Sequence, residues 1–548
     1  MIHTILVMML NIILLGSFSY SQEKNNRQHL DSLYNLYLSL RGVETISIAQ
    51  NRLTNNENIK CGTFLINDLV RNLDSFSPRQ QMLLKPFLQR PSLPNSIISP
   101  SGFFRIHFDT TGSDKIGYDL NLLSQALDSS YKFEVNYLGF LAPPLDNGEG
   151  GDNKYDVYVQ NLGSYGQTVF ETEVTPNSNK FTSYMEIDND FIELPTKGIN
   201  GARVTVAHEL HHAIQGGSYI FRDGDRFFYE LTSTSMEEFV YDDVNDYYFY
   251  LPSYFFSPEK AFAENDGYNL AIWNIYLKEN FNFNIIKRQW ELMPLHRALN
   301  AISTSIAEVG SSFKHELNRF GVWTHYTKHR AIPNKYFEEG AFYPLIKPLV
   351  TISFTAPDEV IAINSKATAN NFIHVSNQIN NDTLFIIVTN GDVVSAGNNI
   401  SQLFTCTLRI YDQNVDGSIK LNDKYFAKLE TDKPFLWLLS GEYQGGSISF
   451  PFPQPFSYAI NYQQGQVIII PVTMINDGNI DFYVYSSAMN LIYSKENHQT
   501  TLSRITGGYT INWNVLDNKN RKLASGIYIY VIKSGDDLQK GKLVILHD

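Results

Sequence analysis

The sequence contains very little cysteine: among its 548 residues there are two, Cys61 and Cys406. Two thiols exclude a scaffold held by several disulfides and a zinc finger built mainly from cysteine. Positive charge is also in deficit, because 43 Lys and Arg face 56 Asp and Glu, for a net charge of −13. Nucleic acid and anionic lipid are therefore not expected as main partners. Hydrophobic residues make up 43% of the chain, so a folded globular protein is expected.

The apolar run at the N-terminus is too short for a transmembrane helix. Residues Ile5–Leu15 are apolar with a single exception, whereas a spanning helix needs about 20 such residues. The small residues Ser19 and Ser21 precede Gln22, as at a signal-peptide cleavage site. We expect residues 1–21 to be a secretory signal peptide, and the mature protein to be secreted or on the cell surface without a transmembrane segment. A buried N-terminal helix is the alternative.

Four regions follow the expected signal peptide. Residues 22–100 carry apolar residues at spacings of three and four, which predicts a helical N-terminal region or pro-region. Residues 101–344 mix strand and helix patterns, which indicates an α+β domain. Beyond them, short Val, Ile, Phe and Thr runs alternate with Asn, Asp and Gly turns, which is typical of β-sandwiches. We therefore expect a multidomain chain in which two all-β domains, at residues 345–445 and 446–548, follow the α+β domain.

One segment concentrates residues with metal chemistry. Residues 208–212 read His-Glu-Leu-His-His and contain the pattern His-Glu-x-x-His. On a helix, positions i and i+4 share a face, so His208 and His212 can reach the same Zn²⁺. Glu209 projects beside them, where a carboxylate can act as general base on water at the metal. His211 points away from this face, and we expect it to pack or to lie at the surface.

A catalytic zinc needs a third protein ligand and an open fourth position. Glu230, on the following helical segment, is the predicted third ligand. Glu237 lies seven residues further on and shares the face of Glu230. It is predicted to bond a ligand histidine or the loop around it. Glu237 and Glu238 stay open as alternatives for the third ligand.

The pattern His208–His212 followed by Phe227-x-x-Glu230 resembles the glutamate-ligand zinc peptidases, the gluzincins. The resemblance implies a zincin-like metalloprotease fold for residues 101–344. It also implies a zinc ion held by three ligands, with one further residue as general base: His208, His212 and Glu230, and Glu209. The chain departs from the family pattern, which has Trp, Gly and Ala, at three positions: Phe227, Leu231 and Ser233.

Three further segments resemble a group of secreted bacterial proteins classed as metalloproteases: residues 102–112, 150–159 and 268–273. The expected function is a secreted zinc-dependent endopeptidase that hydrolyses peptide bonds in proteins or peptides through a metal-activated water. The alternative is a non-catalytic or degenerate surface protein, in which the β-sandwich modules serve binding or adhesion.

A peptidase also needs a group that stabilises the oxyanion and a surface that holds the peptide. Histidine or tyrosine often serves the first role, and four candidates follow from the sequence: Tyr229, Tyr268, His315 and His325. Residues Thr182–Ile187 precede the metal-binding pattern and are a candidate edge strand that pairs with an extended substrate. An ordinary strand inside the sheet is the other interpretation of that segment.

Two features carry weaker predictions. The acidic, glycine-rich residues Asp146–Asp152, with Asp156 nearby, make Ca²⁺ a second candidate cofactor, although a solvated turn explains them as well. Lys60-Cys61-Gly62-Thr63 resembles the cysteine-switch segment of some pro-metalloproteases, in which a thiolate occupies the fourth zinc position. A disulfide between Cys61 and Cys406, or an inert buried thiol, is the alternative.

The C-terminal hundred residues resemble the Ig-like C-terminal domain of proteins exported by type IX secretion. The segments that carry the resemblance are residues 479–485, 508–514, 523–530 and 542–545. It implies Trp513 as the core aromatic, Ser525-Gly526 as a tight turn, and the secretion machinery as a partner. A plain adhesive β-sandwich is the alternative.

Overall fold

The computed structural model describes residues 27–43, 60–353, 358–377, 382–394, 396, 401–412, 426–428, 435–440, 455–459, 467–472, 480–498, 500–502, 509–534 and 537–547. The expected signal peptide, residues 1–21, lies outside them. Within these ranges no helix combines the length and the apolar character that crossing a membrane requires.

The chain divides into two compact units. The first comprises Met1–Ser257, Phe262–Glu316 and Val322–Lys347, and the second comprises Pro258–Ala261, Leu317–Gly321 and Pro348–Asp548. The first is a mixed α+β unit, and the second is dominated by β-sheets.

The first unit is built on a five-stranded sheet. Its strands are β1 (Asn95–Ile98), β2 (Phe104–Phe108), β3 (Tyr155–Gln160), β4 (Gly166–Glu173) and β5 (Phe181–Asp188), in the spatial order β1-β2-β3-β5-β4. Strands β2, β3 and β5 are parallel, and β1 and β4 pair antiparallel at the two edges. The inner strands β3 and β5 are buried almost continuously, as parallel strands covered on both faces are.

The edge position of Thr182–Ile187 that the sequence suggested is wrong. This segment forms β5, which is hydrogen-bonded to β3 on one side and to β4 on the other. An inner strand has no free backbone groups to offer a peptide. The edge strand on this side of the sheet is β4, which pairs with β5.

The described residues also form helices. They are α1 (residues 27–40), α2 (Thr63–Arg71), α3 (Pro78–Leu84), α4 (Leu120–Tyr131), α5 (Gly198–Ile214), α6 (Arg226–Val240), α7 (Leu251–Phe255), α8 (Ala271–Phe281), α9 (Asn284–Leu292), α10 (Ala298–Glu308) and α11 (Phe313–His325). Two π-helical turns extend α4 and α5, at Lys132–Tyr137 and Gln215–Tyr219. Short 3₁₀ turns lie at Leu73–Ser75, Lys85–Phe87, Glu149–Gly151, Asp223–Asp225, Asp246–Phe249, Phe262–Glu264, Tyr268–Leu270 and Lys328–Arg330.

The N-terminal helices share a hydrophobic core with the sheet. Leu30, Tyr37 and Leu38 of α1 and Ile66 and Leu69 of α2 are buried in one apolar cluster. The sheet contributes Tyr158, Val169 and Tyr184 to the same cluster. Burial of this much apolar surface stabilises the N-terminal helices against the sheet.

The described residues of the second unit form four sheets, with strand orders β12-β10-β7, β11-β9-β8-β6, β13-β20-β19-β15-β16 and β14-β18-β17. The strands are β6 (Val350–Ser353), β7 (Asp358–Lys366), β8 (Ala369–Asn377), β9 (Asp382–Asn390), β10 (Ser401–Asp412), β11 (Phe426–Lys428), β12 (Phe435–Ser440), β13 (Phe456–Ser457), β14 (Ile468–Pro471), β15 (Ile480–Ser486), β16 (Leu491–His498), β17 (Thr501–Leu502), β18 (Tyr509–Trp513), β19 (Gly526–Ser534) and β20 (Asp537–Leu546). Trp513 is buried in a core to which both of the last two sheets contribute, which confirms it as a core aromatic.

Candidate metal centre

Helix α5 carries the His-Glu-x-x-His pattern through the interior of the first unit. It packs on β4, β5, α4 and α6, and every residue from Val204 to Ile214 is buried. A helix in these surroundings has no solvated face, so its polar side chains need partners inside the protein.

Four buried side chains bring one donor atom each to within 4.8 Å of one another: Cys61, His208, His212 and Glu230. The two histidines come from α5, Glu230 comes from α6, and Cys61 lies just before α2. The structure thus brings the three predicted ligands together and adds a thiol. The group forms a possible metal site of two imidazoles, one carboxylate and one sulfur.

Hydrogen bonds at the far ring nitrogens orient both imidazoles. His208 donates from Nδ1 to Glu237 Oε1 at 2.7 Å, since a carboxylate can only accept. His212 Nδ1 lies 2.8 Å from Gln215 Oε1. The amide nitrogen of Gln215 donates to the Tyr229 carbonyl, which fixes the amide oxygen as the acceptor for His212. Both Nε2 atoms are left to face inward, and Glu237 bonds one of the two histidines that the sequence predicts as metal ligands.

The inward-facing atoms are in close contact. The two Nε2 atoms are 3.1 Å apart, and Glu230 Oε2 lies 3.2 Å from His208 Nε2 and 3.4 Å from His212 Nε2. Two lone pairs and a carboxylate at these distances repel unless a cation is shared among them. Without a metal, that cation is a proton. Burial lowers the pKa of His208, but Glu230 and Glu237 raise it more strongly, to about 9.

Glu209 is held by two hydroxyls. Its Oε2 accepts from Thr63 Oγ1 at 2.9 Å and lies 2.8 Å from Thr168 Oγ1, whose hydroxyl is also 2.9 Å from the backbone carbonyl of Glu209. Its Oε1 is buried and has no hydrogen-bond partner in the described part of the chain. The carboxylate therefore has one fixed oxygen and one oxygen free to take a proton.

Cys61 is a free cysteine with 1% of its surface exposed, so the disulfide with Cys406 is wrong. In the metal-free group, burial raises the pKa of its thiol well above the usual range, and the charges of Glu209 and Glu230 add to this. A divalent cation at the site would instead lower the pKa of this thiol, because a coordinated thiol is deprotonated.

Lys60 lies at the centre of a second buried network. Its ammonium donates to Glu237 Oε2 at 2.9 Å and also contacts Asp246, which accepts from Tyr165. Burial lowers the pKa of Lys60, but Asp246 and Glu237 raise it more strongly, so Lys60 stays charged. Glu237 is thereby engaged on both oxygens, by His208 and by Lys60. The sequence marks Lys60 and Thr63 only as part of the segment around Cys61, without indicating these contacts, and no motif marks Thr168.

Glu238, an alternative for the third ligand, belongs to a different group. It lies with Asp242 and Glu339, with carboxylate oxygens within 4.8 Å of one another. Burial, and then the charges of Glu339 and Asp242, raise the pKa of Glu238 to about 9. His211 is buried against Phe140 and Trp290, as expected for a packing residue.

The four oxyanion candidates occupy different surroundings. The Tyr268 ring lies 6.1 Å from the His208 ring. Its buried hydroxyl makes no well-aligned hydrogen bond among the described residues, and the Arg226 guanidinium lies close enough to act on it electrostatically. The Tyr229 hydroxyl donates to the Ile220 carbonyl. His315 and His325 lie on α11, and the side chain of His315 is 49% exposed.

The acidic loop does not support the calcium prediction. Arg90 forms ion pairs with both Asp146 and Asp156, and Arg105 and Lys154 pair with Asp152. These cationic side chains already neutralise the carboxylates that a calcium ion would require.

No protein-family model and no curated protein matches the sequence. Two solved structures show a likeness to it. One is PorZ, a surface component of the type IX secretion system of Porphyromonas gingivalis, with 9% identity, 32% of this chain and 23% of that chain covered, and a TM-score of 0.14. The other is dimeric latent PorU from the same organism, with 14% identity, coverages of 35% and 20%, and a TM-score of 0.14. The matches therefore span a quarter or less of those proteins, and at such TM-scores they establish neither the fold nor the function of this chain.

Proposed function

We propose that the first unit is a zinc-dependent endopeptidase. The observation that carries the proposal is the convergence of His208, His212 and Glu230, with Glu209 beside them on the same helix. Two imidazoles and a glutamate are a ligand set of catalytic zinc, and the crowded lone pairs call for a cation. When bound, Zn²⁺ supplies Lewis-acid polarisation of the scissile carbonyl and acidifies water.

The residues around the group have complementary roles. Glu209 accepts a proton from the attacking water on its free Oε1 and delivers it to the leaving amine nitrogen. The buried hydroxyl of Tyr268, beside the Arg226 guanidinium, donates to the developing oxyanion. Glu237 and Gln215 keep the imidazoles in the orientation that the ligand set requires.

Strand β4 is the proposed binding edge for the peptide backbone. A Cβ atom at Gly166 would lie 2.8 Å from Thr205 and 3.2 Å from Glu209, so this strand passes directly over α5. An extended peptide paired with β4 would therefore lie beside the metal group. It would have to displace the side chains of Thr63 and Asn67 on α2, which bond the outward-facing backbone groups of Thr168 and Phe170.

A second candidate function follows from Cys61. Four protein donors make a closed set, which is typical of structural zinc, whereas a catalytic site keeps one position open. In that case the metal stabilises the fold, and the protein is the non-catalytic binding protein that the sequence left open.

Two measurements distinguish the peptidase from the protein with a structural zinc. They are the metal content and the hydrolysis of casein, each with and without a chelator. The peptidase predicts one zinc per chain and chelator-sensitive hydrolysis once Cys61 is replaced. A protein that binds zinc but never hydrolyses casein, even as C61S, would be the structural alternative.

We also propose that the protein is exported. The support is the signal-like residues 1–21 and the C-terminal segment that resembles type IX sorting domains. Deletion of residues 446–548 tests this proposal. In a host with type IX secretion, the truncated protein should accumulate in the periplasm, whereas the full chain should reach the cell surface or the medium.

A further inference from the structure

We infer that residues Lys60–Thr63 form an inhibitory segment, built into the chain, that closes the proposed active centre. Each of its four residues engages a different part of that centre. The inference rests on the proposed peptidase function, since it assigns the regulation of the same site.

Cys61 provides the sulfur that completes the four-donor group. Thiolate is a strong ligand for zinc, and a tetrahedral site with four protein donors has no position for the attacking water. The sulfur must therefore leave before hydrolysis can occur. Thr63 N–H donates to Cys61 Sγ at 3.4 Å, which helps to hold the sulfur in place.

The backbone of the segment occupies the binding edge of β4. Tyr165 N–H donates to the Lys60 carbonyl, and Gly62 N–H donates to the Gly166 carbonyl, both at 2.9 Å. Cys61 pairs with Gly166 in the parallel sense. A substrate that extends the sheet at the start of β4 needs these same backbone groups, the N–H of Tyr165 and the carbonyl of Gly166. Segment and substrate therefore exclude each other. A Cβ atom at Gly62 would lie 2.5 Å from Gln167 Oε1, so glycine permits this close approach.

Thr63 engages the proposed base. Its hydroxyl donates to Glu209 Oε2 and accepts from Thr168 N–H at 2.7 Å. Lys60 anchors the other end of the segment, because its buried ammonium binds Glu237 and Asp246. The four-donor group, the proposed base, the edge strand and the hydrogen-bond partner of His208 are thus all contacted within four consecutive residues.

Cobalt substitution of the full-length protein tests the coordination without relying on activity. A thiolate ligand gives a near-ultraviolet sulfur-to-cobalt charge-transfer band. We expect the band in the wild-type protein and in the matched control C406A, and its loss in C61S. Absence of the band from folded, cobalt-loaded wild-type protein would overturn the inference.

Hydrolysis of casein tests the inhibition. If about one wild-type molecule in a hundred is open, C61S should hydrolyse casein about 100-fold faster than wild type and C406A. Equal and measurable rates in all three proteins would overturn the inhibitory segment and leave the peptidase standing. Loss of the band in C61S with one zinc retained and no hydrolysis would instead overturn the peptidase function itself.

C406A also provides a test that leaves the segment intact, in case C61S does not fold. Its one remaining thiol is Cys61, so a small thiol reagent modifies that residue alone. Hydrolysis should rise in step with modification, and zinc should slow the modification. Complete modification without a rise in hydrolysis, in protein that still binds zinc, would contradict the inhibition.

Discussion

Thr63 donates a hydrogen bond of 2.9 Å to Glu209, across 146 positions of sequence. The Thr168 hydroxyl lies 2.8 Å from the same carboxylate oxygen. The two hydroxyls leave Glu209 with one oxygen for proton transfer, and they also show how closely the N-terminal segment approaches the proposed base. Several consequences can be measured.

Replacing Glu209 with glutamine should abolish hydrolysis and leave zinc in place. Glutamine cannot accept the proton, so the rate in the C61S background should fall by about 10²–10⁴-fold. The matched control is E238Q, a buried acid outside the centre, which should keep both zinc and activity. Zinc loss from E209Q would mean that Glu209 serves as a ligand.

The substitution E237Q should weaken zinc binding without removing a ligand. Glu237 accepts from His208 Nδ1 and from Lys60, so its loss frees the imidazole to rotate and leaves a buried ammonium with one partner. Such partners of ligand histidines are worth about 10–100-fold in metal affinity. Competition with a chromophoric chelator measures the change, and unaltered affinity would contradict the orienting role.

Removal of the Tyr268 hydroxyl should lower kcat. In a C61S background, Y268F should reduce kcat by about 10²–10³-fold with little change in KM or zinc content. Y229F is the control, because that hydroxyl is bonded to Ile220. It should reduce stability and leave kcat close to that of the parent. Equal kcat in Y268F and its parent would remove Tyr268 from the mechanism.

Glu238 should make stability depend on pH. Its pKa in the folded protein is raised to about 9 from an ordinary 4.5, so the folded state holds this proton more tightly than the unfolded state. The contribution of Glu238 to the free energy of unfolding is fully present below pH 4.5 and declines as the pH rises towards 9. E238Q stays neutral, so its melting temperature relative to wild type should increase from pH 5 to pH 9. A constant difference over that range would refute the shift.

The predictable parts of the centre were those set by local spacing. His208 and His212 lie one helical turn apart, and Glu237 lies two turns beyond Glu230, so their shared faces follow from helix geometry alone. The partners of Glu209 come from segments distant in sequence, and nothing local to Thr63 or Thr168 indicates that they meet it. The same holds for β4 and β5: both have strand patterns, and long-range pairing alone decides which of them lies at the edge.

The shared core of α1, α2 and the sheet has a further consequence for the segment at Cys61. An inhibitor tethered to its target acts at an effective concentration in the millimolar range. Contacts too weak to hold a free peptide therefore suffice, together with the Cys61 sulfur, to keep the site closed. A single cut in the chain before Lys60 would not dilute the segment away, because α2, which begins at Thr63, remains docked on the sheet.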